Sequence, residues 1–305
     1  MNKNHNSENF ILAVNKPVGI TSFDVIRKLK KQLNLNKKNK IGHLGTLDPF
    51  ASGILLIAFG NNCKLMSFGE QVSKTYKAIG TVGIKTDSGD LDGEVIQTNE
   101  NIKINSGVIK NCFNDFPKKY SQIPPFYSAV KHEGKPLYKW AREGIFITKE
   151  PVVRTIHSLD FISIIESNIT FLTSVSSGTY IRTLFEDICN KFEAIGHLIS
   201  LVRVNIGKIS LEQTIELDQI TTDNIDDFKL SMEDIFDFES INLSDDDSLL
   251  FSLGRSNFDI KKYCNKEGHY WIKDISNIIL AKVTIDSNYV MTQRITFNLF
   301  HKTFA

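Results

Sequence analysis

The chain has 305 residues, 41% of them hydrophobic, enough to bury a sizeable core as one large domain plus a small one or as two domains. Its four cysteines (Cys63, Cys112, Cys189, Cys264) are scattered with no CxxC pair, which argues against a thiolate zinc site or a disulfide framework and fits a reduced compartment. The net charge of +1 hides an asymmetry, with 22 Lys+Arg against 13 Asp+Glu in residues 1–150 and 14 against 22 in the remainder, so a basic half could meet phosphates, although solvated faces of mixed sign would give the same counts.

The opening residues, MNKNHNSENF, lack the apolar stretch of a signal peptide, and no apolar run reaches membrane-spanning length, so a soluble, cytoplasmic protein is expected. Phe10 to Val14 reads as a short strand closed by the turn Asn15-Lys16-Pro17-Val18-Gly19. Thr21 and Asp24 form a capping-box-like helix start, and Val25, Ile26, Leu29 and Leu33 mark the apolar face of the helix that follows. Its other face and the next loop carry Arg27, Lys28, Lys30, Lys31, Lys37, Lys38 and Lys40. An amphipathic helix needs a solvated face, which lysine suits, yet the clustering before Asp48 also fits RNA. Ile54 to Phe59 lacks alternation and reads as a strand buried on both faces; Lys74 to Val82 alternates as another. The aspartates of Thr86–Gly93 miss EF-hand spacing and read as a turn. Ser121–Gly144 reads as irregular, aromatic and basic. Ile169–Val175 reads as a strand, and a helix follows with Leu184, Ile188 and Phe192 inward. Glu212–Asp247 is strongly acidic and reads as helical and linker surface, while Leu249–Phe304 suggests a small, mostly β domain.

There is no GxGxxG opening a βαβ unit, no GxxxxGK[ST], no HExxH and no GxSxG, and the seven histidines lack metal-ligand spacing. Cofactor and metal chemistry are therefore disfavoured. What remains is Asp48 in Gly42-His43-Leu44-Gly45-Thr46-Leu47-Asp48-Pro49. Pro49 biases Asp48 toward an extended backbone, and the two glycines permit a tight path or the close approach of a ligand. A carboxylate fixed there beside a buried strand can attack a carbon or take a proton, and it needs a counter-charge. Taken alone, a turn or helix cap is the better explanation of Asp48.

The run GHLGTLDPFASGILLIAFG resembles the catalytic motif of the TruB family of tRNA pseudouridine-55 synthases. Four further segments agree in order and spacing: NKPVGITS, KTYKAIGTVGIKTDSGDLDG, IPPFYSAVKHEGKPLYKWAREG and SSGTYIRTL, so that the likeness spans most of residues 10–220. The insert Ile123–Gly144 points to the bacterial stand-alone type. The resemblance implies an α+β pseudouridine synthase fold: a long, mixed, mostly antiparallel sheet with flanking helices over residues 10–240. A small β-rich, PUA-like RNA-binding domain over 248–305 is matched more weakly. It implies isomerisation of uridine 55 in the tRNA T loop, on a flipped-out base, with no cofactor, no metal, no membrane association and no required protein partner, by a monomer.

Residue by residue, the resemblance makes Asp48 the catalytic aspartate, leaving open whether it adds to C1′, adds to C6 or first removes a ribose proton. Tyr76 becomes the residue that stacks on the uracil, and Arg182 the partner of the aspartate. Tyr180 and Leu201 line the uridine pocket, and His43 holds the opened tRNA loop. Lys16 and Pro17 buttress the active-site loop and Lys131 contacts phosphate. Without it, Tyr76 and Leu201 would read as core and His43 as a structural turn residue. Two departures stand out. Leu201-Val202-Arg203 replaces the usual Leu-Arg-Arg, and Ser177 stands where the family often has cysteine. An RNA-binding protein without chemistry would need the basic face but not the Asp48–Tyr76–Arg182 trio, and a nucleosidase would want a second carboxylate.

Overall fold

The computed structural model describes residues 9–64, 72–100, 102, 105–255 and 259–297. The chain opens with β1 (Ile11–Lys16), α1 (Ser22–Gln32), β2 (Ile41–Leu44), β3 (Ser52–Phe59) and β4 (Lys74–Val82). A small ribbon, β5 (Ile84–Thr86) with β6 (Val95–Thr98), leads to α2 (Ser106–Asn114) and β7 (Lys119–Gln122). The hairpin β8 (Lys131–His132) and β9 (Lys135–Pro136) runs into α3 (Leu137–Arg142), so the insert read as irregular contains a hairpin and a short helix. Then come β10 (Val152–Ile165), β11 (Asn168–Val175), α4 (Ile181–Lys191) and β12 (Gly196–Ile206). The short strands β13 (Ile209–Ser210), β14 (Ile215–Glu216) and β15 (Lys229–Leu230) follow. The chain closes with β16 (Glu239–Asn242), α5 (Asp245–Ser252), β17 (Gly268–Lys273), β18 (Ile279–Ile285) and β19 (Met291–Thr296).

Among the described residues one sheet runs β14-β1-β3-β12-β4-β11-β10-β7, with β2 on β3, β13 on β12 and β15 on β1. Only β1–β14 and β3–β12 pair in parallel within it. The expected mixed, mostly antiparallel α+β sheet is therefore present. Each key strand follows from its residues. The unbroken apolar run of β3 is buried from Gly53 to Phe59 because both faces are covered. Leu55 and Ile57 pack with Val25 and Leu29 of α1, while Ile54 and Leu56 pack toward Trp271 and Phe297 of the C-terminal sheet. The helix α1 starts at the predicted capping box, in which the Asp24 N–H donates to Thr21 Oγ1 and the Thr21 N–H to Asp24 Oδ2. On the other half of the sheet, α4 buries Leu184, Phe185 and Ile188 over β4. Gly80 makes that seat possible: a Cβ there would lie 2.3 Å from the Phe185 ring.

Two expectations change. The acidic stretch 212–247 is mainly 3₁₀ turns and short strands, with α-helix only where α5 begins at Asp245, and its apolar residues Ile215, Leu217, Ile220 and Ile225 are buried against β1 and α1. Acids placed between those residues face water, and β14 and β15 supply hydrogen-bond partners to β1. The second, four-stranded sheet has the order β16-β17-β18-β19, and its first strand begins at Glu239. The expected β-rich tail otherwise agrees through Phe297; residues 298–304 lie outside the described part. No helix of the described residues is long and apolar enough to cross a membrane.

Candidate active site

The loop between β2 and β3 is held from three directions. Ser22, at the start of α1, accepts from the Leu47 N–H at 2.9 Å and donates to the Leu47 carbonyl at 3.0 Å. Lys16, fully buried at the end of β1, donates from Nζ to the carbonyls of Pro17 (2.8 Å), Ile20 (2.7 Å) and Pro49 (3.4 Å). Arg203 of β12, also fully buried, donates from Nε to the Ile54 carbonyl at 2.7 Å and from Nη2 to the Gly45 carbonyl at 2.9 Å. β12 can come this close because Gly53 faces Arg203: a Cβ there would sit 2.3 Å from the Arg203 carbonyl oxygen. These ties fix the backbone on either side of Asp48.

Asp48 itself reaches across the sheet. Its Oδ2 lies 3.0 Å from Nε of Arg182, in the first turn of α4. The arginine is 4% exposed and its other nitrogens are occupied, with Nη1 3.4 Å from Asp90 Oδ2 and Nη2 donating to the Tyr127 carbonyl at 2.9 Å. The guanidinium thus sits between two carboxylates and is oriented by main-chain acceptors, which suits its rigid fork of donors. Burial raises the Asp48 carboxyl above its ordinary value of 3.8; Arg182 opposes this, Asp90 adds to it, and Lys16 opposes it. Lys16 is pushed down to about 8 by burial, with Asp48 pulling upward and Arg203 downward.

Asp48, Arg182 and Arg203 open onto a pocket of about 250 Å³. Asp48, Tyr76, Tyr180, Arg182 and Leu201 all line it, so five of the six residues singled out from sequence converge, though they come from four segments. Tyr76 stands on β4 with only 7% of its surface exposed, packed in the main core cluster while its ring forms part of the pocket wall. Tyr180 is fixed by Gln122, whose side-chain oxygen accepts from the Tyr180 N–H (2.8 Å) and whose amide nitrogen donates to the Tyr180 carbonyl (3.0 Å). Burial raises its hydroxyl. The departure at Ser177 has a structural counterpart in a 2.6 Å hydrogen bond from Lys74 Nζ to Ser177 Oγ at the pocket wall.

The sixth residue, His43, does not line this pocket. It stands on β2 opposite Ile57, half-buried, with its buried Nδ1 lacking a hydrogen-bond partner. Burial and then Arg203 lower its pKa, keeping the ring neutral near pH 7. Lys131 is exposed on the β8–β9 hairpin. Sequence reasoning missed Asp90 and Arg203 as parts of the site. Asp90 was read as a turn residue, which it also is: its backbone carbonyl accepts from Thr86 Oγ1. A usable signal was the surplus of acids in Asp87-Ser88-Gly89-Asp90 without a calcium pattern, which asks for a cation elsewhere.

The mixed sheet thus presents an aspartate–arginine pair and a strand tyrosine around one pocket. The chain superposes, with a TM-score of 0.69 and 18% identity over 95% of this chain and 85% of the other, on a chain from a structure of an H/ACA RNP bound to a substrate RNA containing 2′-deoxyuridine, which shows the shared fold. The model of the TruB family pseudouridylate synthase N-terminal domain matches residues 30–181. A tRNA pseudouridine synthase B of Caldicellulosiruptor saccharolyticus is 42% identical over 217 residues, 71% of this chain and 74% of the relative. One of Clostridium tetani is 37% identical over 225 residues, 74% of this chain and 77% of the relative. The chain belongs to the TruB family, and it is an enzyme of the pseudouridine synthase class.

Proposed function

We propose that this chain isomerises uridine 55 in the T loop of tRNA to pseudouridine, with Asp48 as its catalytic residue. The observation that carries the reading is the 3.0 Å contact between Asp48 Oδ2 and Arg182 Nε inside a pocket walled by Tyr76. The target nucleotide leaves its stack and enters that pocket, because a base inside a folded loop hides its glycosidic carbon. Tyr76 and Leu201 hold the uracil, Tyr180 closes the wall, and Arg182 keeps the carboxylate charged and aimed. His43, outside the pocket, supports the opened loop of the RNA, and Lys131 meets a phosphate. The N1–C1′ bond breaks, the base turns while held, C5 bonds to C1′, C5 loses its proton and N1 gains one. Atoms and electrons balance without any outside reactant.

Two of the relatives carry tRNA in their names, which supports this substrate class. Residues 10–240 form the catalytic domain in this reading, and residues 248–305 form a PUA-like module that touches RNA, with β16 at the junction completing its sheet. The enzyme acts alone as a cytoplasmic monomer. Incubation with unmodified tRNA transcript, followed by carbodiimide probing, should reveal pseudouridine at position 55 alone; a transcript left unmodified, or modified elsewhere, would end this proposal.

A further inference from the structure

Beside the pocket, α1 carries an exposed aromatic that the site does not use. Phe23 is 62% exposed, and it follows Ser22, whose hydroxyl clasps the Leu47 backbone one residue from Asp48. That linkage puts the Phe23 backbone on the order of 10 Å from the Asp48 backbone. Val18, also 62% exposed, lies in the turn whose Gly19 N–H donates to the Pro49 carbonyl at 2.8 Å. Two large apolar side chains thus stand in water on the rim of the Asp48 loop.

The direction of this strip follows from helix geometry. At 3.6 residues per turn, Phe23, Arg27 and Lys30 share one flank of α1, and Lys28 and Gln32 share the other. The second flank is committed to the sheet edge. Lys28 pairs with Asp218 at 3.4 Å, and Gln32 Nε2 donates to the Leu217 carbonyl at 3.1 Å, just past the edge strand β14. The first flank therefore looks the opposite way, across the sheet toward β12 and β4, which carry Leu201 and Tyr76. It does so on the pocket's own face: Leu55 and Ile57 pack on α1 and share parity with Gly53, whose register partner Arg203 lines the pocket. Arg27 adds to the strip: its guanidinium pairs with Asp24 on its own helix, the guanidinium carbon lies 6.0 Å from the Phe23 ring centre, and its side chain stays 68% exposed to a further partner.

We propose that Phe23, with Val18 beside it, is a stacking platform for an unpaired base next to the extruded uridine, and that Arg27 and Lys30 on the same flank hold the phosphates of that strand. The inference rests on the pseudouridine synthase reading of the pocket and extends it. Extrusion of one nucleotide strips its neighbour of a stacking partner, and an exposed ring on the rim can replace it. The basic flank selects a polyanion over an apolar protein partner.

The test compares the full chain with Phe23→Ala, Phe23→Tyr and Arg27→Gln/Lys30→Gln, using an unmodified T stem-loop RNA. Phe23→Ala should raise Kd by about 5- to 100-fold with the saturating single-turnover rate within about twofold, and Phe23→Tyr should restore wild-type Kd. The double variant should flatten the slope of log K against log salt by roughly 1.4 to 1.8, whereas Phe23→Ala should leave the slope alone. Wild-type binding by Phe23→Ala would overturn the platform and assign the patch to something other than RNA; a loss that Phe23→Tyr fails to rescue would overturn it equally. Absence of product from the wild-type chain is a separate result, and that one would sink the proposed function.

Discussion

The pocket and the C-terminal sheet both bury charged side chains, but they spend them differently. Around the pocket, Lys16, Arg182 and Arg203 are 0–4% exposed, and each ties together segments far apart in the chain. In the C-terminal sheet the buried charges are settled close to home. Lys282 Nζ donates to Thr284 Oγ1, two residues along its own strand, at 2.8 Å, and Asp274 accepts from the Ile278 N–H in its own turn at 2.8 Å. Lys273 is the exception, reaching Glu233 at 2.6 Å in the preceding segment. One region concentrates opposite charges on a cavity at the expense of desolvation; the other uses them to finish turns and strands. Buried charge is thus a sign of function here only where the partners converge on open space.

Substitutions can break that contrast, the most severe first. Asp48→Asn keeps shape and removes the charge; product formation should fall by at least about a thousandfold while RNA binding stays within a few-fold, as read by single-turnover assay and filter binding. Arg182→Gln leaves Asp48 and Asp90 facing one another without their shared cation. Because Arg182 is 4% exposed but Asp48 is 36% exposed, it should cost about 1–3 kcal/mol in chemical unfolding and most of the activity, whereas a variant as stable as wild type would show that water replaces the arginine at both carboxylates. If turnover depends on the proposed stack, Tyr76→Ala should slow it by about 5- to 150-fold and Tyr76→Phe should restore most of it, since a ring face without the hydroxyl still supplies about 1–3 kcal/mol.

A pH profile sharpens the comparison further. In the proposed reaction Asp48 acts as the ionised carboxylate, and burial raises its pKa, so activity should fall on acidification at a pH above the ordinary carboxylate value of 3.8. On the alkaline side Lys16 loses its proton as pH passes about 8, which weakens its grip on the Pro49 carbonyl; an alkaline limb near there should vanish in Lys16→Met. For stability the sign is reversed. The unfolded chain keeps the Lys16 proton up to about 10.5, so between about 8 and 10.5 unfolding takes up a proton and the fold gains stability as pH rises. Lys273→Met, in the other region, should change unfolding free energy by about 1–3 kcal/mol and leave the saturating rate untouched.

Much of this was legible in the sequence. The unbroken apolar run of β3 and the Thr21–Asp24 cap are local signals, and the structure bears them out. The convergence of Asp48, Tyr76, Tyr180, Arg182 and Leu201 was legible only through ordered motifs, since periodicity alone would have left Tyr76 and Leu201 in the core, where both indeed have one side. What stayed hidden depends on register. Nothing local in Arg203 says that a glycine from the far earlier strand β3 will face it, or that its guanidinium will find the carbonyls of Gly45 and Ile54. The stretch 212–247 was misjudged because acidity was weighed over the spacing of its isoleucines and leucines, which burial against β1 and α1 decided.

The place of β12 in the sheet has a consequence for how such a molecule comes into being. It lies between β3 and β4, yet it is made only when synthesis reaches Gly196–Ile206. Until then the half that bears the acid and the half that bears the tyrosine have no strand joining them edge to edge, and Arg203 is not yet there to clamp the loop. A ribosome-bound fragment ending at α4 would hold every motif residue but Leu201 and still have no pocket in which to use them.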